Sequence, residues 1–159
     1  MNTTILMVTT FTSGLMAGLF YTWSISVTPG ISKVRDENYL QAFQSMNRAI
    51  INPIFLICFM GLIILLPLLS FLSSESAHFL YVLSATILYM FGVIAVTFFG
   101  NIPLNNSLEA LHIESMSIEQ MASFRLGFEN KWNKLNLLRT ISSSASFVFL
   151  IIACIHKSS

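Results

Sequence analysis

Four long apolar segments constrain the fold of this chain more than any other feature. They cover residues 4–28, 53–72, 77–100 and 137–155, and none contains an acidic residue. Each is close to the roughly 20 residues that a helix needs to cross the hydrocarbon core of a bilayer. Hydrophobic residues make up 55% of the 159 and charged residues only 9%, whereas soluble domains carry roughly 25% charged residues. The sequence therefore predicts an all-α membrane protein, a four-transmembrane-helix bundle.

The length and charge of the chain limit its organisation and its partners. We expect residues 1–159 to form a single four-helix transmembrane domain. No Lys or Arg precedes the first segment, which is long for a signal-peptide core, so we expect it to be a retained span. A net charge of +1 offers no basic surface for nucleic acid. The lipid bilayer is the predicted partner, and the oligomeric state is left open, a homo-oligomer included.

The first long connection is predicted to contain a helix. Pro29 and Gly30 are expected to end the first membrane helix. Asp36 is then expected to cap a connecting helix that runs to residue 50. Asn52 and Pro53 have the pattern of a cap followed by the first residue of the second membrane helix.

The second long connection is also predicted to be helical. Pro103, between Asn101 and Asn105, is expected to break the third membrane helix. Ser117 and Gln120 have the spacing of a capping box, and no proline follows before residue 155, so the fourth helix is expected to extend outside the bilayer. Its apolar stripe would pack on the first connection and join the two as one cap. The stripe consists of Met121, Phe124, Phe128 and Trp132.

The distribution of Lys and Arg predicts the orientation. Four spans place both termini on one side of the membrane and the long connections on the other. Lys157 is the one basic residue on the side of the termini; the other side has Lys33, Arg35, Arg48, Arg125, Lys131, Lys134 and Arg139. The positive-inside rule places the long connections in the cytoplasm.

Polar side chains cluster at the membrane face where the long connections lie. Many recur at helical spacing, as Gln44, Arg48 and Asn52 do, and such groups near hydrocarbon need a partner or a ligand. The candidate catalytic residues are Asn47, Arg48, Asn101, Asn136 and Arg139. The candidate substrate-binding residues are Gln44, Asn52, Thr97, Asn105, Trp132, Asn133 and Thr140.

A structural interpretation of these residues remains open beside the functional one. Membrane helices use Asn, Ser and Thr to hold helices together, and Trp and Arg anchor helix ends at the interface. Metal chemistry is not expected, because His78, His112 and His156 are not placed to share an ion. No phosphate-binding loop or Ser-His-Asp arrangement is present in the sequence.

The ordered motifs carry a resemblance over nearly the whole chain. They are Thr28-Pro29-Gly30, Gln44-x-x-Asn47-Arg48-x-x-x-Asn52-Pro53, Thr97 with Asn101-x-Pro103-Leu104-Asn105, and Trp132-Asn133-x-x-Asn136-x-x-Arg139-Thr140. Their succession around four spans resembles the anthrone oxygenase-like family of small four-helix membrane proteins, many bacterial members of which form a domain of unknown function. The resemblance implies oxidation of a lipophilic phenolic or quinone-like compound such as an anthrone, with no metal or flavin cofactor. It departs at Leu137, where relatives often have histidine.

Three functions are compatible with these residues. In a cofactor-independent oxygenase, Arg48 and Arg139 would supply positive charge, the asparagines would donate to an oxyanion, and Trp132 would stack on the ring system. No strong base is evident, so a water would relay the proton to Glu129 or to another loop carboxylate. The alternatives are a membrane ligand-binding or carrier protein and a structural subunit without catalytic activity.

Overall fold

The computed structural model describes residues 3–157, with the side chains of residues 3–155, and this part of the chain contains five helices and no strand. They are α1 (Thr3–Ile31), α2 (Asp36–Ile50), α3 (Pro53–Leu72), α4 (Phe79–Glu109) and α5 (Ile118–Lys157). A single 3₁₀ turn, Ile113–Ser115, lies between α4 and α5. Helices α1, α3, α4 and α5 are long and apolar enough to span a membrane. The predicted four-helix bundle with helical connections is confirmed.

The four spans enclose an apolar core. Helix α5 packs along α1 and along the first part of α4, while α3 packs on α1 and on the first part of α4. Residues 73–78 connect α3 to α4 as the predicted short hairpin, and the hydroxyls of Ser70 and Thr86 lie 2.8 Å apart across it. The large side chains of this core that are at most 2% exposed are Leu6, Phe59, Leu62, Leu66, Leu69, Val82, Tyr89, Val93 and Leu150.

Two prolines that were predicted to end helices lie inside them. Helix α1 ends at Ile31, within one residue of the predicted end at Pro29-Gly30, whereas α4 continues through Pro103 to Glu109, so the predicted break at Pro103 is wrong. In each case a π-helical segment, Trp23–Val27 or Thr97–Asn101, ends two residues before the proline. A π turn bonds each N–H to the carbonyl five residues back, and this wider turn accommodates a proline that lacks an N–H and would crowd the backbone of a regular α-turn.

The starts of the connecting elements follow the sequence more closely. Asn52 caps α3 by accepting a hydrogen bond from the N–H of Phe55 at 3.0 Å. Ser117 and Gln120 form the predicted capping box, with N–H to side-chain oxygen distances of 2.8 and 3.2 Å. Asp36 is the exception, because it is the first residue of α2 and not its cap. Its carboxylate accepts instead from Arg125 at 2.8 Å, and the cap position, Arg35, makes no side-chain hydrogen bond to the helix.

The connections pack as one cap over the open end of the bundle, as predicted. We call the following buried residues the cap cluster: Tyr39, Leu40, Phe43, Leu108, Ile113, Met121, Phe128 and Trp132. The ring of Phe43 lies 4.9 Å from Trp132 and 5.0 Å from Phe128, measured between centroids, and both contacts are edge-to-face. The cap therefore has an aromatic core of its own, and Trp132 connects it to the membrane-spanning helices.

Arg125 joins α5 to the first connection. Its guanidinium donates to the backbone oxygens of Ser32 and Val34 and to the carboxylates of Asp36 and Glu129, at 2.6 to 2.8 Å. Burial alone would lower the pKa of Arg125, but the hydrogen bonds and charges of the two carboxylates outweigh it and raise the pKa. The side chain is 12% exposed. From the sequence, Arg125 was counted for the orientation, but these contacts were not predicted.

Because of Tyr39, the stability of the cap is expected to decrease as the pH rises into the alkaline range. Burial raises the pKa of its hydroxyl, the charge of Glu129 raises it further, and Arg125 opposes them. A raised folded-state pKa means that the stabilisation is complete below about pH 10 and is lost as the pH rises above it, because the unfolded chain ionises first. We expect the melting temperature to fall less steeply between about pH 9 and pH 11 in Tyr39→Phe than in the wild type. Thermal unfolding in detergent, followed by circular dichroism, measures both slopes, and equal slopes would contradict the prediction.

Candidate functional site

A cavity of about 540 Å³ lies between the bundle core and the cap cluster. This volume is within the range of small-molecule sites. Eight of the twelve predicted site residues line it: Asn47, Arg48, Thr97, Asn101, Asn105, Trp132, Asn136 and Arg139. Its other walls are largely apolar and come from α1, α3 and the end of α2, including Phe20, Trp23, Met46, Phe55 and Phe59. The cavity is therefore polar along α4, along α5 and at Asn47 and Arg48 of α2, and apolar along α1 and α3.

Arg139 is a buried cation at the polar wall. It is 7% exposed, and no carboxylate of the described residues lies within ion-pair distance of it. Its Nη2 donates to the Oδ1 of Asn136 at 2.9 Å, and Nη1 makes a longer contact of 3.4 Å with the Oγ1 of Thr97. The guanidinium carbon lies 4.8 Å from the ring centroid of Phe20, while Nε has no hydrogen-bond partner in the described chain. The charge is held in place by neutral groups, so it is available to an anionic ligand.

Asn136 positions that cation. Its Nδ2 donates to the Oγ of Ser24 at 2.9 Å, while its Oδ1 accepts from Arg139. The Ser24 hydroxyl lies 2.7 Å from that of Thr140, whose Oγ1 also donates to the carbonyl of Asn136 at 2.9 Å. A polar network thus runs from α1 through Asn136 to Arg139. It fixes the guanidinium before any ligand arrives.

Other polar atoms at the cavity have no partner. Both side-chain polar atoms of Asn101, which is 0% exposed, and the Nδ2 of Asn47 make no hydrogen bond to any residue the structure describes. Buried amides are normally satisfied, and leaving one unpaired costs roughly 1–3 kcal/mol. Asn105 differs, since its Oδ1 accepts from the indole of Trp132 at 2.9 Å. Asn47 and Asn101 are therefore amides beside the cavity whose N–H groups no described residue satisfies.

The mouth of the cavity carries an ion pair. Nε of Arg48 donates to Oε1 of Glu109 at 2.6 Å, and the two side chains are 66% and 42% exposed. Glu109 is the last residue of α4 and the one acidic residue among the described residues that line the cavity. It was missed from the sequence because α4 was expected to end at Pro103. In the observed helix, Asn101, Asn105 and Glu109 follow one another at intervals of four residues and line the same cavity.

Four predicted substrate-binding residues do not line the cavity. Gln44 donates to the carbonyls of Leu108 and Leu111, at 2.9 and 3.2 Å, and ties α2 to the end of α4. Asn52 caps α3, and Thr140 belongs to the network behind Asn136. Asn133 has a buried Oδ1 without a partner in the described chain, outside the cavity lining. For Gln44, Asn52 and Thr140 the structural interpretation holds.

The structure also places the residues that bore on proton transfer. Leu137 is 52% exposed and lies outside the cavity lining. Glu129, the expected relay carboxylate, is held by Arg125 at 2.8 Å and is not a lining residue. His78 and His112 are also absent from the lining, and the His156 side chain lies outside the described residues.

Trp23 and Ser24 are the contributors that the sequence did not reveal. Trp23 lines the cavity, and its ring centroid lies 5.2 Å from that of Trp132. Both residues lie within an otherwise apolar segment, where a single tryptophan or serine does not indicate a site. Their direction is set by the π segment Trp23–Val27, for which the apolar pattern carried no signal.

Fold and site together define a class: a four-helix membrane protein with a capped cavity, whose polar wall holds a buried arginine that faces no carboxylate of the described chain. A family model described as anthrone oxygenase matches residues 41–149, which is more than half of the chain, and the protein belongs to that family. The matched range contains all twelve predicted site residues, whereas Thr28-Pro29-Gly30 lies outside it. Neither the comparison with curated proteins nor the comparison with solved structures finds a match.

Proposed function

We propose that this protein is a membrane oxidoreductase that binds an anthrone-like compound as its oxyanion and lets the anion react with dioxygen. The observation that carries the proposal is the buried cation Arg139. Within the described chain its Nε has no hydrogen-bond partner, and its guanidinium forms no ion pair with a carboxylate. Burying such a charge is costly unless an opposite charge meets it at some stage of the working cycle. An enolate or phenolate oxygen supplies that charge and still suits an apolar cavity.

The reaction balances without a further reductant. Removal of a proton from the methylene carbon between the rings of an anthrone leaves an electron pair that is shared with the carbonyl oxygen. Dioxygen adds to the carbon and takes up a proton to give a hydroperoxide, and loss of water from it leaves the second carbonyl of the quinone. One dioxygen is consumed for each anthrone, and one water is released.

Each proposed role follows from a described contact. Arg139 stabilises the oxyanion, with Asn101 and Asn47 as additional donors through their unpaired amides. Asn136 is a positioning residue, because its amide is engaged by Ser24 and Arg139. Trp132 and Trp23 present aromatic surface to a planar substrate. The proposal uses no resident cofactor.

An oxygen electrode tests the proposal directly. Purified protein in detergent is supplied with anthrone, hydroxylated anthrones or quinols, and oxygen uptake is compared with the formation of quinone by absorbance. We expect catalysed uptake with a stoichiometry of one oxygen per anthrone. Uptake that stays at the buffer rate with every compound would contradict the oxygenase. Co-purification of a bound lipophilic anion, identified by mass spectrometry, would then favour the carrier.

We also propose that the long connections face the cytoplasm. The support is the excess of basic residues on that side, although Arg48 and Arg125 are engaged in ion pairs there. Single cysteines introduced at exposed Lys33 and Glu75 lie on opposite sides in this orientation. Labelling of intact cells with an impermeant maleimide is expected to reach position 75 and not position 33.

A further inference from the structure

The cavity is lined by one carboxylate of the described residues that could accept a proton, that of Glu109. Among the residues of the described chain that line it, Glu109 is the one acidic side chain, and no histidine or tyrosine accompanies it. None of the other described carboxylates lines the cavity: Asp36 and Glu129 bind Arg125, Glu119 binds the hydroxyl of Ser117, and Glu37, Glu75 and Glu114 are exposed elsewhere. A proton leaving a molecule in this cavity therefore has one direct protein acceptor.

Arg48 holds Glu109 by one oxygen. The 2.6 Å contact engages Oε1, and Oε2 has no hydrogen bond or ion pair within the described residues. An ion pair of this kind restricts the rotamers of the carboxylate, which a positioned base requires. At 42% exposure the carboxylate can also exchange its proton with water after each cycle.

The distance between the two ends of the cavity limits the substrate. Glu109 follows Asn101 by two helical steps of four residues, which corresponds to about 12 Å of rise along an α-helix. Asn101 and Arg139 form the oxyanion end, and Glu109 lies at the mouth. The oxygen and the acidic carbon of an anthrone lie across one ring, so a substrate reaches Arg139 and Glu109 together only if its contacts at both ends cover the rest of this distance.

We infer that Glu109 is the catalytic base, with Arg48 as its positioning partner, for substrates that place an oxygen at Arg139 and an acidic C–H at the mouth. The C–H bond breaks, the proton moves to Oε2 of Glu109, and the electron pair delocalises to the oxygen beside Arg139. The protonated carboxyl can return its proton to the hydroperoxide or to water. This inference rests on the proposed function for its substrate class, but the proton transfer itself does not need oxygen.

Anaerobic deuterium exchange isolates that step. Anthrone is incubated in D₂O with the protein in detergent and without oxygen, and the loss of its methylene protons is followed by NMR against a protein-free reaction. The variants are Glu109→Gln and, as a matched control, Glu114→Gln, because Glu114 is exposed and lies outside the cavity lining. Trp23 and Trp132 are the only tryptophans, and both line the cavity, so quenching of their fluorescence by anthraquinone reports binding independently.

We expect Glu109→Gln to lose about 100-fold or more of the catalysed exchange rate. Anthraquinone affinity should stay within about threefold, and Glu114→Gln should match the wild type. Unchanged exchange in Glu109→Gln, or no exchange above buffer by the wild type, would overturn the inference. Exchange that depends on Glu109 without later oxygen uptake would support the base and contradict the oxygenase. Oxygen uptake by a wild-type protein that does not catalyse exchange would support the oxygenase and contradict the role of Glu109 as the base.

Discussion

Replacement of Arg139 by methionine is expected to abolish ligand binding without lowering thermal stability. Methionine keeps the apolar contact with Phe20 but removes a charge that faces no carboxylate of the described residues. An isolated buried charge is costly, and its removal offsets the cost of leaving the Oδ1 of Asn136 without its donor, so the net effect on the fold is neutral or stabilising. The oxyanion loses its principal partner, and removal of one such donor typically costs a factor of about 100 to 1,000 in rate.

Two measurements on one preparation test this expectation. Tryptophan quenching by a hydroxyanthraquinone that is anionic at the assay pH should show an affinity at least about 100-fold weaker in Arg139→Met. The melting temperature should be equal to or above that of the wild type. Arg139→Lys retains the charge without the planar fork and should bind with intermediate affinity. A lower melting temperature with unchanged affinity would show that Arg139 holds helices together and does not serve a ligand.

The same substitution at Arg125 is expected to have the opposite result. This guanidinium makes two ion pairs and two backbone hydrogen bonds and lies 4.3 Å from the centroid of Tyr39. Removing it leaves two carboxylates and two carbonyls without their donor. Loss of a fully buried pair costs about 3–5 kcal/mol. The partial exposure of Asp36 and Glu129 reduces our expectation to about 2–3 kcal/mol.

Thermal unfolding of Arg125→Met should show a melting temperature lower by roughly 5–10 °C. The affinity of the cavity for the anionic hydroxyanthraquinone should change little while the protein is folded. Lys131→Met is the matched control, because Lys131 is an exposed cation of the same helix that makes none of these contacts. Amide hydrogen exchange should increase first in residues 32–50, because this segment contains Ser32, Val34 and Asp36, which Arg125 contacts. Unchanged stability would mean that the cap does not depend on this residue.

Much of the architecture could be predicted because bilayers impose few solutions on apolar segments. The four spans, the capping box at Ser117 and the cap at Asn52 each have a local cause that is visible in the sequence. The grouping of Asn101, Asn136 and Arg139 at one cavity was also predictable, since polar groups near hydrocarbon must share an environment. These features depend on residue type and spacing alone.

Other features depend on the turn geometry, which residue types do not specify. Pro103 was interpreted as a helix end, but a π turn carries α4 past it to Glu109, whereas α1 does end two residues after Pro29. The error at Pro103 left Glu109 as one unnamed loop carboxylate among several, because a loop residue has no defined direction. Gln44 was assigned to substrate because its spacing from Arg48 suits a shared face. In the structure its amide binds the carbonyls at the end of α4, a contact over 60 residues away in sequence.

A π turn is an α-turn with one residue inserted, and this gives the third membrane helix a particular evolutionary freedom. Loss of one residue from Thr97–Asn101 would turn every later side chain of α4 by about 100° and move it by about 1.5 Å. Asn105 and Glu109 would leave the cavity together, while the hairpin and the core formed by the first part of the helix would stay in place. Related chains can therefore exchange the whole mouth of the cavity by a single-codon deletion, so alignments of this family should be read for gaps at this point as closely as for substitutions.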